Sequence, residues 1–443
     1  MQGVQTDVTN AEGSYRFPAL PPGEYKLVFE LVGFATLVRE GIRVSLGFTA
    51  TVNVDLRVAG LEETVTVKGE SPVVDVQSTR TATNFDAKML ASLPNARDMW
   101  SILAESPAIQ VVRIDVGGST AGTQTGYSAY DARGGQNRVM IDGLVTTEGT
   151  DAIGVYVDYG AFDEVSVGTA SHSADMGWPG VQTQFIAKSG GNQYRGSFYF
   201  DYQNESIQAH NIDTDQIARG AQGGVGLQPQ EINRMHTYRD FNAEAGGYLK
   251  KDTIWWYGSY RNFNVEARYP NFPVKPHQTA LQHYTGKATF ALPKNNKFIT
   301  FVQTTRKFQP NRLDAWDIGT AINTNVESTQ NQTHWAWVGK GEWNKVISHT
   351  AFAEIRGGTF GYNWPLKPNG DSCSEDADCL SGHCSSELCC DQACTVACYS
   401  CRASEQEPTA PGPQDGACLP TRDGTALPDR CLGGTEIEVH SAC

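Results

Sequence analysis

The sequence lacks three features that would assign it to common classes of protein. Residues 1–372 contain no cysteine, and all 11 cysteines of the 443-residue chain lie between Cys373 and Cys443. Basic residues are scarce, because 35 Lys and Arg stand against 49 Asp and Glu, and the net charge of −14 excludes the basic surface that nucleic-acid binding requires. No apolar run approaches the ~18 residues of a membrane-spanning helix, and the mean hydropathy is −0.39. We therefore expect neither nucleic-acid binding nor a transmembrane helix.

The composition is otherwise that of a folded, glycine-rich protein. Aromatic residues make up 10% of the chain, hydrophobic residues 40%, and there are 45 glycines. This supply of apolar side chains excludes disorder for most of the chain. The cysteine cluster at one end favours an oxidising compartment, where such clusters form disulfide frameworks.

Residues 1–60 are predicted to form a small β-sandwich, because short alternating segments are separated by Gly- and Pro-containing turns. The predicted strands are Ser14–Phe17, Tyr25–Leu31, Ile42–Leu46 and Thr49–Leu56. Residues 61–80 leave this domain as an alternating, β-branched linker.

Residues 81–192 mix helical and strand patterns, which predicts an α/β globule. Helical spacing occurs at 84–93 and 97–106, and strands are predicted at Phe162–Val167 and Val181–Ala187. A glycine-rich turn is predicted to lead into a further buried strand, which ends at a second turn. The residues that mark the two turns are Arg133, Gly134, Gly135, Asp142 and Gly143.

Residues 193–365 alternate aromatic and polar residues, which is typical of strands with one apolar face. About seven strands are predicted, near 195–203, 239–250, 253–263, 282–293, 297–306, 332–345 and 348–362. Their connections alternate strictly between long and short, as in outer-membrane barrels. This parity places the end of the seventh strand, and the cysteine-rich residues 366–443 after it, on the extracellular side.

The cysteine-rich module is predicted to be held by disulfides. Its cysteines are Cys373, Cys379, Cys384, Cys389, Cys390, Cys394, Cys398, Cys401, Cys418, Cys431 and Cys443. A structural zinc site using Cys394, Cys398, Cys401 and His383 is the alternative, but the cysteines outnumber one zinc's ligands and show no repeated C-x2-C pairs. The spacing resembles that of small cysteine-rich modules of bacterial surface proteins, and no metal or cofactor is predicted.

Several motifs together carry a family resemblance. Glu12–Phe17 and Leu20–Tyr25 resemble the carboxypeptidase-regulatory-like domain. The segments Leu93–Asp98, Ile141–Gly143 and Ala187–Ser197 follow in the order seen in TonB-dependent outer-membrane receptors. The resemblance implies a plug domain inside a barrel, a TonB-type energy-transducing partner of the inner membrane, contact with outer-membrane lipid and an unidentified nutrient ligand.

The resemblance also assigns a coupling segment, the TonB box, to the linker. The candidate residues are Glu63, Thr64, Val65, Thr66 and Val67. Extended segments of this kind bind by adding a strand to a partner's sheet, and the alternative interpretation of the same residues is the last strand of the sandwich. The family barrel has 22 strands, so about seven indicate the N-terminal part of a receptor, or a broken or fused gene. The missing first strand of the sandwich likewise suggests that the chain begins inside a domain.

No catalytic constellation is present, and we predict that the chain is not an enzyme. Asp142 and Glu164 could form an acid–base pair, but salt bridges between plug and barrel are the favoured interpretation. His283, His334 and His349 are expected to be structural. The tryptophans of the strands are expected to form an interfacial girdle rather than a sugar-binding platform. They are Trp255, Trp256, Trp335, Trp337 and Trp343.

The sequence thus predicts a mainly β chain. Its segments are a transthyretin-like sandwich, an α/β plug, a partial antiparallel transmembrane β-barrel and a disulfide-rich module. The leading functional hypothesis is a fragment of an energy-coupled nutrient receptor in the outer membrane of a Gram-negative bacterium. The alternative is a cell-surface adhesion or carbohydrate- or protein-binding protein that uses the sandwich and the cysteine-rich module. The cargo is left open among iron chelates, oligosaccharides and peptides.

Overall fold

The computed structural model describes most of the chain up to residue 368. The described ranges are 4–18, 20–58, 64–68, 81–93, 95–112, 122–132, 135–148, 153–172, 176–209, 212–220, 234–268, 276–312, 329–348 and 351–368. Four two-residue strands of the tail are also described: β19 (Cys384–Ser385), β20 (Leu388–Cys389), β21 (Tyr399–Ser400) and β22 (Leu419–Pro420).

The N-terminal domain is built on a three-stranded sheet in the order β1-β2-β3. Its strands are β1 (Gly23–Phe29), β2 (Thr36–Val44) and β3 (Thr64–Lys68). The pair β1–β2 is antiparallel and the pair β2–β3 is parallel. The side chains Leu37, Val38 and Ile42 of β2 are buried.

Two strands predicted for this domain are wrong. Ser14–Phe17 and Thr49–Leu56 belong to no strand, although the Tyr15 hydroxyl donates to the Val52 carbonyl at 2.7 Å. The central strand β2 already pairs with β1 and β3, so it has no free edge for either segment.

The plug contains a five-stranded mixed sheet in the order β4-β9-β10-β7-β8. Its strands are β4 (Thr81–Asp86), β7 (Arg138–Ile141), β8 (Leu144–Val145), β9 (Phe162–Ala170) and β10 (Gln182–Ala187), and a separate pair is formed by β5 (Ile109–Val111) and β6 (Tyr127–Ala129). Phe85, Ile141, Val165 and Phe185 from this sheet are almost fully buried and join one hydrophobic core.

The two plug helices are shorter than predicted, α1 spanning Ala87–Ser92 and α2 spanning Met99–Ala104. Asn84 and Phe85 pair with β9 instead of extending α1. Asp86 and Asp98 each accept a backbone N–H of the following turn, which caps the helix where it begins. The capping aspartates therefore set the residues at which α1 and α2 begin, whereas apolar spacing alone predicts that both helices begin earlier.

Seven long antiparallel strands form the third sheet, paired in chain order. They are β11 (Arg195–Asn204), β12 (Arg234–Lys250), β13 (Ile254–Arg268), β14 (His277–Leu292), β15 (Asn296–Arg312), β16 (Gln330–Ser348) and β17 (Ala351–Asn363), with the short β18 (Leu366–Pro368) beside β16. A 3-10 turn (Glu205–Ile207) and α3 (Thr214–Ala218) follow β11. The predicted seven strands and the alternation of long and short connections are confirmed.

The two faces of the seven-stranded sheet differ in polarity. On β16, Trp335 and Trp337 are 59% and 41% exposed on the outward face, whereas Ala336, Lys340 and Glu342 on the inward face are buried. The predicted girdle position is wrong for Trp255, which is 2% exposed and donates its indole N–H to Asn192. Successive residues of a strand point to opposite faces, so Trp255 and Trp256 cannot both face outward.

No helix in the described ranges is long and apolar enough to cross a membrane. In the tail, Cys384 lies opposite Cys389 in the β19–β20 pair. The remaining cysteines, together with His349 and His383, lie outside the described residues.

Candidate functional site

The candidate site is the interface where the plug meets the inward face of the seven-stranded sheet, here called the wall. Asp142 follows β7 and adopts a left-handed conformation with φ +48°, and Gly143 follows with φ +85°. This turn carries the Asp142 carboxylate into the wall. Its Oδ1 accepts from Lys287 Nζ at 3.0 Å, and its Oδ2 lies 2.9 Å from Lys340 Nζ.

The ion pairs of Asp142 extend into a row of alternating charges along the wall. Lys340 also contacts Glu342 at 2.7 Å, and Glu342 contacts Arg356 Nε at 3.0 Å. Arg356 Nη1 donates in turn to the Gly143 carbonyl at 3.4 Å. The φ of +85° at Gly143 is one that L side chains rarely adopt, so this turn favours glycine, and a Cβ there would also require the Arg356 guanidinium to shift.

The environment of Asp142 keeps its carboxylate ionised. Burial alone would raise the pKa, but the ammonium groups of Lys287 and Lys340 outweigh burial and hold the pKa of Asp142 below its ordinary value of 3.8. A buried charge is tolerated when it is paired and hydrogen-bonded. Asp142 therefore ties the plug to β14 and β16.

A second ionic contact joins the plug to β12 and β13. Asp240 accepts two parallel hydrogen bonds from Arg261, both at 2.8 Å, and a third at 3.2 Å from Arg97 of the plug. The Arg97 guanidinium also stacks 3.7 Å from the ring centroid of Tyr199 on β11. Planar, bidentate contacts of this kind are the arrangement for which arginine is suited.

Asp158 is a buried aspartate of the plug whose pKa is shifted in the opposite direction to that of Asp142. Its Oδ2 accepts from the hydroxyls of Ser259 at 2.7 Å and Thr285 at 3.2 Å, and its Oδ1 has no hydrogen-bond partner. Complete burial raises the pKa of Asp158 above 3.8, an effect that Arg261 reduces but does not cancel. Asp158 is thus held by hydroxyl groups where Asp142 is held by ammonium groups.

Further polar contacts line the same interface. Lys188 pairs with Glu244 at 2.6 Å. The Tyr156 carbonyl accepts from Gln303 and Thr305 at 2.8 Å each, and the buried Lys307 Nζ lies 3.0 Å from the Tyr156 hydroxyl. The plug therefore contacts the wall from β12 to β17 through polar groups that are almost all withdrawn from water.

Asp142 and Glu164, the two acidic residues that the sequence analysis considered together, lie in different places in the structure. Asp142 lies in the interface, as the salt-bridge interpretation expected, but Glu164 does not reach the wall. Glu164 Oε1 accepts the Leu46 N–H at 2.7 Å, next to the N-terminal domain. His283 and His334 are buried in the wall, and His283 Nδ1 lies 3.1 Å from Thr305 Oγ1.

Other marked residues lie apart from the interface or outside the described ranges. Gly135 has φ +92°, while Arg133 and Gly134 are not described. Thr64, Val65, Thr66 and Val67 form most of β3, and Glu63 is not described. Within the described ranges, no group of three or more His, Cys, Asp or Glu side chains is arranged to hold a metal ion.

The sequence interpretation missed most partners of the interface. Lys287, Lys340 and Glu342 do stand on the polar side of alternating segments, opposite the aromatic side. That alternation could have marked them as inward-facing. Nothing local in the sequence shows that Asp158 meets Ser259 and Thr285, because these contacts join segments 101 and 127 residues apart.

Comparisons with known proteins agree with this architecture. Residues 1–57 match the family model of the carboxypeptidase regulatory-like domain. The chain is 28% identical over 264 residues to the TonB-dependent transporter Oar of Myxococcus xanthus, which covers 59% of this chain and 24% of that protein. The chain thus spans about a quarter of the length of this curated relative.

Solved structures with a similar arrangement include two outer-membrane proteins. The outer membrane transporter YddB from Escherichia coli aligns with a TM-score of 0.47 and 14% identity, over 63% of this chain and 38% of that one. The ferripyoverdine receptor of Pseudomonas aeruginosa aligns with a TM-score of 0.46 and 12% identity, over 68% and 37%. In sequence the chain is similar to a TonB-dependent transporter and carries an N-terminal carboxypeptidase regulatory-like domain, and the resemblance predicted from its motifs is confirmed.

Proposed function

We propose that this chain is the N-terminal part of an energy-coupled nutrient receptor of the Gram-negative outer membrane. The observation that carries the proposal is the plug held on the polar inward face of a sheet whose outward face is aromatic. Phe198, Phe200 and Trp335 are each more than half exposed on that outward face. A polar interior with an apolar exterior is the arrangement of a barrel wall in lipid.

The proposed partners follow from the same arrangement. The segment 63–67 binds a TonB-type energy-transducing protein, outer-membrane lipid surrounds the strands, and the plug and outer loops bind the nutrient. The cysteine-rich residues 366–443 lie on the extracellular side in this proposal, because β17 is the seventh strand. The relatives named above are transporters and receptors, which supports a role other than catalysis.

The coupling role is tested by deleting residues 63–67 from the full-length receptor. We expect the purified variant to lose binding to the C-terminal domain of a TonB protein, while its thermal unfolding in detergent is unchanged. A deletion of equal length in α3 (Thr214–Ala218), which has no buried residue, is the matched control and is expected to bind normally. Equal binding by both deletion variants would contradict the coupling role.

An adhesion or binding function of the N-terminal domain and the cysteine-rich module is the second candidate, on account of the regulatory-like match. Glycan- and protein-array binding separates the two functions. A pure adhesin would keep array binding and bind no TonB domain, with or without residues 63–67.

A further inference from the structure

Two arginines on the outward face of the wall have no counter-charge. Arg239 of β12 and Arg306 of β15 are exposed, and neither forms an ion pair or a hydrogen bond with another residue of the described ranges. Among the described wall strands, Glu266 is the only acidic residue on this face, and it lies 4.0 Å from His236. The two guanidinium groups are therefore available to an anion from outside the protein.

Side-chain amides join the two arginines into one polar row. Arg306 is directly opposite Gln282 of β14, which is directly opposite Asn262 of β13. Arg239 is paired with Asn264, two residues further along β13. Because neighbouring strands lie about 4.8 Å apart, the backbones of the two arginines are separated by roughly 15 Å across the sheet.

The polar row lies at the extracellular border of the apolar face. β15 begins at the short connection with Asn296, and Arg306 follows about ten residues later. With a rise of about 3.3 Å per residue and a strand tilt of about 35–45°, this distance corresponds to a height of about 23–27 Å, which matches the ~25 Å apolar band of an outer-membrane barrel. Arg239 is about eleven residues from the end of β12 at Lys250. Trp335, which is 59% exposed and directly opposite Arg306, marks the aromatic border at the same level.

We propose that Arg239 and Arg306 bind the phosphate groups of a phosphorylated glycolipid in the outer leaflet of the membrane. Arginine holds a phosphate through two parallel N–H donors. The amides of Asn262 and Gln282 between them supply donors and acceptors for sugar hydroxyls. The inner leaflet does not fit, because its headgroups lie at the opposite border, near Lys250. This inference rests on the proposed function, since it takes the outward face to meet outer-membrane lipid.

Native mass spectrometry of the full-length receptor in detergent tests the glycolipid site. The probes are a lipid A that carries two phosphates and the same lipid A after removal of both phosphates. We expect the unaltered receptor to bind the phosphorylated probe at least about tenfold more tightly than the double variant Arg239→Gln, Arg306→Gln does. The dephosphorylated probe is expected to bind both proteins equally weakly. Equal affinity of the two proteins for the phosphorylated probe would overturn the proposal.

Arg195→Gln is the matched control for the double variant. Arg195 is also exposed, but it begins β11 at the opposite end of the wall. The control is expected to bind the phosphorylated probe as the unaltered receptor does. If it loses as much binding as the double variant, or if phosphatidylglycerol binds as tightly as the probe, the attraction is one of general charge and the proposal fails.

Folding into lipid vesicles separates this inference from the proposed function. A receptor that does not fold into vesicles would contradict the membrane location, and with it both proposals. A double variant that folds like the unaltered receptor and keeps its affinity for the phosphorylated probe would contradict the glycolipid site alone. Loss of a dimer in the double variant, with glycolipid binding retained, would assign the row to a contact between two copies of the chain and would also overturn the proposal.

Discussion

At the residue scale, two buried aspartates of the plug make opposite use of their burial. Asp142 is held between two lysines of the wall and its pKa lies below 3.8. Asp158 receives only hydroxyl hydrogen bonds and its pKa lies above 3.8. The same side chain is therefore a charged anchor at one position and a carboxyl that burial favours in its neutral form at the other.

Replacing Asp142 is expected to destabilise the plug–wall interface strongly. Asp142→Asn leaves the buried Lys287 without its counter-charge and Lys340 with Glu342 alone, and breaking a buried pair typically costs about 3–5 kcal/mol. Urea unfolding of the receptor in detergent measures the loss. Asp131→Asn changes an exposed aspartate and is expected to leave unfolding within about 0.5 kcal/mol of the original chain.

Replacing Asp158 is expected to have a much smaller effect. Asp158→Asn keeps the shape of the side chain at a site where hydroxyl groups and no ammonium group contact the carboxyl, and we expect a change of about 1 kcal/mol or less in the free energy of unfolding. Because Asp142 and Asp158 are both buried aspartates of the plug, each variant is the control for the other. A loss as large as that of Asp142→Asn would show that Asp158 is an ionised anchor too.

The pH dependence of stability follows from the direction of the Asp142 pKa. The folded pKa lies below the ordinary 3.8, so the stabilisation by Asp142 is fully present above that value and is lost as the pH falls through the folded pKa. We expect the melting temperature of the original chain to fall more steeply below pH 4 than that of Asp142→Asn. Parallel curves would contradict this assignment.

At the element scale, the turn that joins the plug to the wall depends on close backbone contact. Gly190 lies between β10 and β11, and a Cβ there would collide with the carbonyl oxygens of Trp256 and Gly247. Backbone atoms cannot swing aside as a flexible side chain can. The Ala187–Ser197 segment marked in the sequence therefore positions the plug against β12 and β13.

Gly190→Ala is expected to lower the melting temperature of the receptor and to loosen the plug. Gly177→Ala is the matched control, since a Cβ at position 177 has open space around it. Limited proteolysis of the folded receptor measures loosening, and we expect faster cleavage of the plug only in Gly190→Ala. Equal cleavage rates would show that the turn can shift to accept a methyl group.

At the scale of the whole molecule, the proposed membrane location is tested on the outward face of the wall. Val302, in the middle of β15, is 50% exposed between Gly286 and Gly339 of its neighbours. Placing a charge there is expected to be costly only if lipid surrounds the strand. The cost for arginine near the bilayer midplane is about 2–4 kcal/mol.

Val302→Arg is therefore expected to impair folding of the full-length receptor into lipid vesicles. Ile207→Arg also places a charge on an exposed apolar residue, 71% exposed in the turn after β11, and is expected to fold normally. Heat-dependent migration on gels measures the folded fraction. Normal folding of both variants would mean that the Val302 face does not meet lipid.

The sequence by itself determined the strands of the wall and their order. Alternation fixes which side chains share a face, and connection lengths fix which strands are neighbours, so the seven strands of the wall and the polarity of its faces could be predicted. Alternation also explains why Trp255 and Trp256 do not share a face, because neighbouring residues of a strand point to opposite sides of the sheet. These properties are local or repeat along the chain.

Only the tertiary structure decided which charges meet. Asp142 reaches Lys287 across 145 residues, and Tyr156 reaches Lys307 across 151. The structure also decided that β3 lies beside β2 and that residues 14–17 and 49–56 belong to no strand. The physical reason is the same in both cases: pairing of distant segments depends on packing and on the balance between burial and charge, and neither quantity is encoded in the neighbouring residues of the chain.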